Sequence, residues 1–152
     1  MILQLQNIDP QRIAAIDSNG DQLAYADITR LSQQICTNIP ERTLCFLLVE
    51  NNIGGIAWTM SMFESQKLVP LILNVKTEDS LYQQLLDTYQ PSYICAPSYI
   101  TLKGEVIDSQ FGYQLCKVSN NHCVLHPELS HLLPTSGSTG SPKLVRHKYE
   151  NI

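Results

Sequence analysis

Charged side chains are scarce in this sequence, and those present form no block of one sign. Asp, Glu, Lys and Arg make up 16% of the 152 residues, whereas they make up about 25% of a typical globular protein. The 14 acidic residues outnumber the 10 basic ones and give a net charge of −4. Since nucleic-acid binding relies on clustered cations, we expect no nucleic-acid partner. With so few charges, we expect exposed apolar surface that promotes self-association.

Long apolar runs and leader-like segments are missing as well. The longest apolar run, from Leu44 to Val49, is far too short to cross a bilayer. The first residues, Met-Ile-Leu-Gln-Leu-Gln-Asn, contain no basic segment followed by an apolar run, as a signal peptide would. We therefore expect no membrane span and a cytoplasmic protein.

Paired cysteines are absent, because the five cysteines are scattered and no Cys-x-x-Cys motif occurs. Their odd number and the apolar neighbours of Cys45 and Cys95 predict reduced, buried thiols in a reducing compartment. His122, Cys123 and His126 lie close together but lack the repeated ligand spacing of a zinc site. That segment is predicted to be a surface turn, and we expect no metal ligands in the chain.

Short apolar runs alternate with segments of helical period in the first two thirds of the chain. Residues 43–49, 68–73 and 93–96 have the composition of buried strands, and apolar side chains recur at helical spacing between them. This β-α-β-α-β pattern predicts an α/β fold with a mostly parallel sheet flanked by helices. Hairpins are predicted over residues 12–25 and 106–116.

Four local features refine this prediction. Asn51 or Asn52 is predicted to cap the second helix. The glycine pair Gly54-Gly55 in its first turns predicts tight packing, since glycine otherwise costs about 1 kcal/mol there relative to alanine. Pro70 predicts that the second buried strand lies at an edge, carries a bulge or ends early. Thr77 is predicted to cap the third helix.

Residues 135–143 form the most informative segment, Thr-Ser-Gly-Ser-Thr-Gly-Ser-Pro-Lys, directly after a short apolar strand predicted over 132–134. Gly137 and Gly140 permit positive φ and let backbone N–H groups approach an anion closely. Hydroxyl groups add further donors, and Lys143 adds a point charge that suits phosphate. The order of Gly, Lys and Ser/Thr differs from the common nucleotide loop G-x-x-x-x-G-K-S/T. The segment nevertheless has the chemistry of a polyphosphate-binding loop.

A flexible Gly/Ser linker has a similar composition, so composition alone does not separate the two interpretations. Two details favour the anion-binding loop. A strand-like piece follows it at residues 143–145, and an apolar strand precedes it, which is where open α/β sheets bind ligands. A hydrolase triad is not indicated, because no G-x-S-x-G motif occurs.

The loop at 135–143 resembles the phosphate-loop signature S/T-S-G-S/T-T-G-x-P-K of the adenylate-forming enzymes: acyl-CoA synthetases, adenylation domains of peptide synthetases, and luciferases. Residues 23–28, Leu-Ala-Tyr-Ala-Asp-Ile, resemble the early L-T-Y-x-E-L segment of that family. Residues 63–73 and 81–96 resemble its helix-to-strand segments upstream of the loop. The resemblance thus covers nearly the whole chain.

The resemblance implies an ATP-dependent ligase that needs Mg²⁺. A carboxylic acid and ATP would give an acyl adenylate and pyrophosphate, and the acyl group would pass to coenzyme A or to the thiol of a phosphopantetheine carrier protein. Lys143 would stabilise pyrophosphate as a catalytic residue. The residues that would hold the β- and γ-phosphates of ATP are Thr135, Ser136, Gly137, Ser138, Thr139, Gly140 and Lys143.

The sequence departs from the family pattern after the loop. Leu144 replaces the glycine that usually follows the lysine, and Tyr149 stands where a histidine is common, while Asn151 matches. His147 therefore receives no family role. The family's motifs for adenine, ribose, Mg²⁺ and a C-terminal catalytic lysine would lie beyond Ile152.

Residues 1–152 are accordingly interpreted as the N-terminal portion of an AMP-binding (adenylation) domain, truncated just after the phosphate loop. Alone the chain is expected to be inactive and to require the remainder of the enzyme as its partner. The alternative is a stand-alone, non-catalytic α/β module that binds an anion or a partner protein.

Overall fold

The computed structural model describes residues 2–135 and 143–152. The strands and helices of these residues are, in chain order, β1 (Ile13–Ile16), β2 (Gln22–Ala24), α1 (Tyr25–Asn38), β3 (Thr43–Val49), α2 (Ile53–Ser65), β4 (Leu68–Asn74), α3 (Asp79–Tyr89), β5 (Tyr93–Pro97), β6 (Glu105–Gln110), β7 (Tyr113–Lys117), β8 (Leu129–Pro134) and β9 (Leu144–Lys148). Short 3₁₀ turns lie at Leu5–Asn7 and Tyr149–Asn151.

A mixed sheet organises the described part of the chain, with seven strands in the order β6-β7-β5-β3-β4-β8-β9. The four central strands, β5, β3, β4 and β8, run parallel, and antiparallel hairpin strands complete both edges. Strands β1 and β2 form a separate antiparallel hairpin. The predicted α/β architecture and both predicted hairpins are confirmed.

Strand β3 lies at the centre because alternate side chains enter two separate apolar clusters. Cys45 and Leu47 pack on the side of α1 and α2, whereas Leu44, Phe46 and Leu48 pack on the side of α3. This continuous apolar run is typical of a parallel strand that is covered on both faces. Its register with β4 pairs Thr43 with Leu68 and Val49 with Asn74, so both strands end at the same edge.

The start of α2 is tightly packed, as the glycine pair predicts. The Asn52 side chain caps the helix by accepting from the Gly55 N–H at 2.9 Å. A Cβ atom on Gly54 would lie 2.3 Å from Cδ1 of Tyr113, which is far below van der Waals contact. Only glycine therefore allows Tyr113 to cover this helix end.

Two predictions about β4 and α3 are wrong. Pro70 lies inside the sheet rather than at an edge, and it pairs with Cys45 of β3. Strand β4 pairs with β8 at Leu71, directly after the proline. The missing N–H of Pro70 therefore does not interrupt this pairing. Thr77 does not cap α3, because its hydroxyl donates to the Asn74 carbonyl at 2.6 Å and Glu78 takes the cap position.

The inward face of α2 also differs from its apolar spacing. Ile56 and Met60 are among the apolar residues at helical spacing, but Ile56 is 40% exposed and Met60 is only half-buried. Trp58 and Met62, which are expected in the core, are fully buried between α2 and the sheet, and the Trp58 indole N–H donates to the Gln110 carbonyl at 3.1 Å. Because the helix is apolar on most sides, the spacing alone does not select the buried face.

Cys45 and Cys95 are buried, as their apolar neighbours predict. All five cysteines lie in the described ranges and are free thiols, and Cys45, Cys95 and Cys116 are buried. Cys36 is exposed and Cys123 is half-buried. Among the described residues, no helix has both the length and the apolar character needed to span a bilayer.

Candidate functional site

The β8–β9 hairpin places the predicted phosphate loop at the carboxyl edge of the parallel strands. Strand β8 runs parallel to β4, and its last residue, Pro134, pairs with Leu144 of β9. Beyond this pair, the Thr135 N–H donates to the Lys143 carbonyl at 3.0 Å and closes the base of the loop. Open α/β sheets bind ligands at this edge, so the loop begins where a ligand is expected.

Two of the predicted phosphate contacts can be located, and they sit opposite each other. The Thr135 hydroxyl also donates to the Lys143 carbonyl, at 3.2 Å, so its proton is already used within the hairpin. Lys143 is exposed, and its ammonium group makes no ion pair with any residue of the two described ranges. The other predicted contacts lie outside the described residues: Ser136, Gly137, Ser138, Thr139 and Gly140.

A second ligand position at the same edge is filled by the protein itself. Helices α2 and α3 cross over opposite faces of the sheet, so the switch in strand order lies between β3 and β5. There the Tyr113 hydroxyl accepts from the Glu50 N–H and donates to Asn52 Oδ1, both at 3.0 Å. Tyr99 extends this network by donating its hydroxyl to Glu50. This network closes the carboxyl edge of the sheet between β3 and β5, whereas the loop begins at the end of β8.

Burial keeps the Tyr113 hydroxyl of this network in its neutral form. The pKa of Tyr113 is raised chiefly because burial disfavours the phenolate, and the Glu50 carboxylate raises it further. The Glu50 N–H and Asn52 oppose that shift through their hydrogen bonds. Tyr113 therefore acts as a neutral structural plug between the ends of β3 and α2.

The basic residues Arg146 and Lys148 share one face of β9 but have different surroundings. Lys148 lies near Glu128 and Glu150, at 3.5 and 3.7 Å between nitrogen and oxygen, in exposed ion pairs. Arg146 is exposed and, with Lys143, lines an open groove of about 660 Å³ beside α3. Arg146 and Lys148 are thus solvated residues of the strand.

Tyr149 has a structural role that the sequence did not indicate. Its hydroxyl accepts from Nη1 of Arg42 at 2.8 Å, although 107 residues separate the two in the chain. The same guanidinium donates to the carbonyls of Gln66, His126 and Leu129. Arg42 thereby ties both ends of the β8–β9 hairpin to the turn before β4. A lone arginine after Pro40-Glu41 gives no pattern from which this role could be inferred.

His147 lies against a second histidine across the hairpin. The rings of His131 and His147 stack with centroids 4.4 Å apart and planes within 3°. Phe63 of α2 packs on the other side of His131, with ring centroids 5.0 Å apart. No sequence pattern pairs these histidines, because 16 positions separate them and only the strand register brings them together.

The histidines near Cys123 make separate contacts. Nδ1 of His122 lies 3.2 Å from Glu41, and Nδ1 of His126 lies 3.9 Å from Glu128. Within residues 2–135 and 143–152, no three His, Cys, Asp or Glu side chains are grouped closely enough to hold a metal ion. Residues 118–126 around them have no regular secondary structure.

Sequence comparison leaves this chain without a match, whereas its fold has clear matches. No protein-family model and no curated protein sequence matches it. The fold is similar to that of o-succinylbenzoate CoA synthetase (MenE) from Bacillus subtilis in complex with the acyl-adenylate intermediate OSB-AMP, with a TM-score of 0.69 and 17% identity. That match covers 99% of this chain and 42% of the MenE chain.

Two further solved structures give the same result. Escherichia coli MenE with bound OSB-AMS matches with a TM-score of 0.66 and 18% identity, over 98% of this chain and 34% of the other. The N-terminal subdomain of Klebsiella oxytoca NpsA, in complex with 3-hydroxyanthranilyl-AMSN, matches with a TM-score of 0.65 and 18% identity, over 97% of this chain and 39% of the other.

The chain thus spans between 34% and 42% of the length of these structures. Identities this low carry the fold and nothing finer. The fold that the resemblance implies is therefore confirmed: the chain has the fold found in MenE and in the N-terminal subdomain of NpsA.

Proposed function

We propose that this chain is the N-terminal portion of an ATP-dependent acyl-adenylating ligase and that its loop at 135–143 holds the β- and γ-phosphates of ATP. The observation that carries the proposal is the position of the loop. A segment rich in glycine and hydroxyls, ending in Lys143, follows a parallel strand at the carboxyl edge of the sheet. The shared fold with enzymes bound to AMP or acyl-adenylate compounds supports it.

In the proposed reaction, a carboxylate oxygen attacks the α-phosphorus of ATP and the bond to the β-phosphate breaks. Negative charge then grows on the departing pyrophosphate. Backbone N–H groups and hydroxyls of the loop would stabilise that charge, and the Lys143 ammonium would add a positive charge beside it. The acyl adenylate would next react with the thiol of coenzyme A or of a phosphopantetheine carrier protein.

The described residues are suited to bind the phosphates of ATP, but they contain no cluster of ligands for its Mg²⁺. Donors suited to phosphate are present at the loop, since Lys143 is exposed and makes no ion pair with a described residue. The described ranges hold no cluster of acidic or histidine side chains for a cation. Mg²⁺ therefore enters the proposal bound to ATP, and the chain's described residues are given no part in ligating it.

The test is carboxylate-dependent exchange between ATP and pyrophosphate, measured on the protein that contains this chain and the remainder of the enzyme. Lys143→Ala should reduce the exchange rate by about 100-fold or more, the usual effect of losing one group that stabilises transition-state charge. Lys148→Ala is the matched control, because that lysine is exposed on the same strand but pairs with Glu128 and Glu150. An unchanged exchange rate in the Lys143 variant would refute the role assigned to the loop.

A second candidate function is that of a stand-alone α/β module, and it is favoured by the exposed Lys143, whose ammonium group makes no ion pair with a described residue. A non-catalytic module would use the same loop to bind an anion or would bind a partner protein. Calorimetry of the 152-residue chain with ATP separates the two proposals. A ligase portion lacking an adenine pocket should bind ATP only weakly, whereas an anion-binding module should bind ATP and inorganic pyrophosphate alike with micromolar affinity.

A further inference from the structure

The stacked histidine pair is the only feature of the described hairpin residues that combines titratable groups, partial burial and direct contact across the two strands. The ring centroids of His131 and His147 are 4.4 Å apart, and the planes are nearly parallel. Both rings are half-buried. Two imidazole rings can stack in this way when at most one of them is protonated to imidazolium, because two imidazolium rings at this separation repel each other.

The surroundings of the pair offer no compensating negative charge. Phe63 of α2 contacts His131 from one side, and the Ser130 hydroxyl lies 2.9 Å from its Nδ1. No carboxylate lies within 4.0 Å of either ring among the described residues, since the recorded histidine–carboxylate pairs involve only His122 and His126.

The charged residues on the neighbouring elements form no ion pair with either ring. On α2, one oxygen of the buried Glu64 carboxylate accepts from the Leu3 N–H at 2.8 Å, and its other oxygen has no hydrogen-bond partner among the described residues. On β9, Arg146 and Lys148 alternate with His147 and so project from the opposite face of the strand. From the turn after α1, Arg42 contributes its guanidinium to the Leu129 carbonyl, two residues before His131. On β4, the residues paired with β8 are apolar.

The two histidines lie equally far along the sequence from the two ends of the loop. His131 precedes Thr135 by four residues, and His147 follows Lys143 by four residues. Between the histidines and the loop, the hairpin continues through the pairs Leu133–Val145 and Pro134–Leu144. A repulsion that separates the rings would therefore act directly on the strands that hold the base of the loop.

We propose that His131 and His147 form a pH-sensitive latch, in which the stack closes the β8–β9 hairpin near neutral pH and double protonation loosens it. Its consequence for phosphate binding rests on the proposed function, whereas the latch itself does not. The pairing of Thr135 with Lys143 would be closed at neutral pH and would open on acidification, so that the affinity of the chain for phosphate groups would fall together with hairpin order.

The direction of the pKa shift agrees with this geometry. Burial lowers the pKa of His131 below its ordinary value, and repulsion from a protonated His147 lowers it further. The unfolded hairpin then binds more protons than the folded one at pH values between the folded and the unfolded pKa of His131. Hairpin stability therefore falls as the pH decreases through the ordinary histidine range.

The experiment measures amide hydrogen-exchange protection of the Thr135 N–H, which donates to the Lys143 carbonyl, between about pH 7.5 and about pH 5. After correction for intrinsic exchange, the wild-type protection factor should fall by about tenfold or more. His147→Phe keeps an aromatic ring on His131 but cannot carry a charge, so its protection should fall clearly less than that of the wild type, and the remaining fall arises from the burial of His131. His122→Phe is the control, because His122 is exposed and pairs with Glu41; it should behave like the wild type.

Two results would overturn the latch: constant protection in the wild-type protein, or an equal fall in the His147→Phe variant. Should that variant fail to fold, titration of the wild-type ring carbons by nuclear magnetic resonance decides instead. Coupled steps in His131 and His147 support the latch, and two independent single steps refute it. Since neither readout uses ATP, a failure of the exchange assay for Lys143→Ala would leave this result unaffected.

Discussion

Ala24 starts the first helix without the side-chain oxygen that its position normally supplies. Its backbone is extended, with φ −89° and ψ 157°, as expected for the residue before a helix. Three residues later, Asp27 accepts from the Ala24 N–H at 2.9 Å. This is one half of a capping box, in which the first residue would also accept from the N–H of the fourth. The related family segment L-T-Y-x-E-L carries a threonine here, so the chain retains the acidic half and lacks the hydroxyl half.

Restoring that hydroxyl should stabilise the protein. We expect Ala24→Thr to raise the free energy of unfolding by about 1 kcal/mol, because its oxygen can accept from the Asp27 N–H. Ala24→Val is the matched control, since valine has nearly the same shape and no oxygen. Urea unfolding of the two variants measures the difference directly. Equal stabilities of the threonine and valine variants would mean that the helix end gains nothing from a cap.

At the scale of elements, Arg42 is the residue that holds the β8–β9 hairpin to the rest of the sheet. Its guanidinium reaches three backbone carbonyls and the Tyr149 hydroxyl, and it also lies over the Tyr149 ring, 5.5 Å from the centroid. A lysine ammonium cannot reproduce this planar arrangement of donors. The clamp therefore depends on the shape of the arginine as much as on its charge.

We expect Arg42→Lys to lower the free energy of local hairpin opening by about 2 kcal/mol, because several hydrogen bonds to a charged group are lost together. Tyr149→Phe removes a single bond and should cost about 1 kcal/mol. Hydrogen exchange should show faster exchange in β8 and β9 and unchanged exchange at the centre of β3. Arg30→Lys is the control, because Arg30 makes only an exposed ion pair with Asp27 at 3.0 Å. Uniform loss of protection across all strands would contradict a local role for the clamp.

Elements whose pattern is local could be predicted, and those defined by distant contacts could not. The run at β3 and the Asn52 cap follow from neighbouring residues, and both are confirmed. Pro70 misled the prediction because its effect depends on which strand pairs beside it, and that partner lies about 60 residues away in the sequence. The stacked histidines and the Arg42 clamp also depend on strand register, which the sequence does not display. For the loop, the sequence predicts its chemistry and its place after a strand, whereas its individual phosphate contacts stay predictions.

At the scale of the whole molecule, the core contains acidic groups that must stay protonated for the chain to remain folded. Burial raises the pKa of the Cys45 thiol, and burial together with the nearby Cys45, Cys116 and Asp108 raises that of Cys95. Burial likewise raises the pKa of Tyr82 and of Tyr93. In the unfolded chain these groups would lose their protons at ordinary values, so above about pH 9 the folded state binds more protons than the unfolded state.

Stability should therefore fall as the pH rises above about 9, by up to about 1.4 kcal/mol per pH unit for each buried thiol. The measurement is the free energy of unfolding in urea between about pH 7 and about pH 10.5. Cys95→Ala should lower the steepness of that fall by nearly one proton, because it removes one fully buried thiol at a small change in volume. Cys36→Ala is the control, since Cys36 is exposed, and it should leave the steepness unchanged. An unaltered slope in the Cys95 variant would show that the alkaline loss of stability does not arise from this thiol, although it is fully buried.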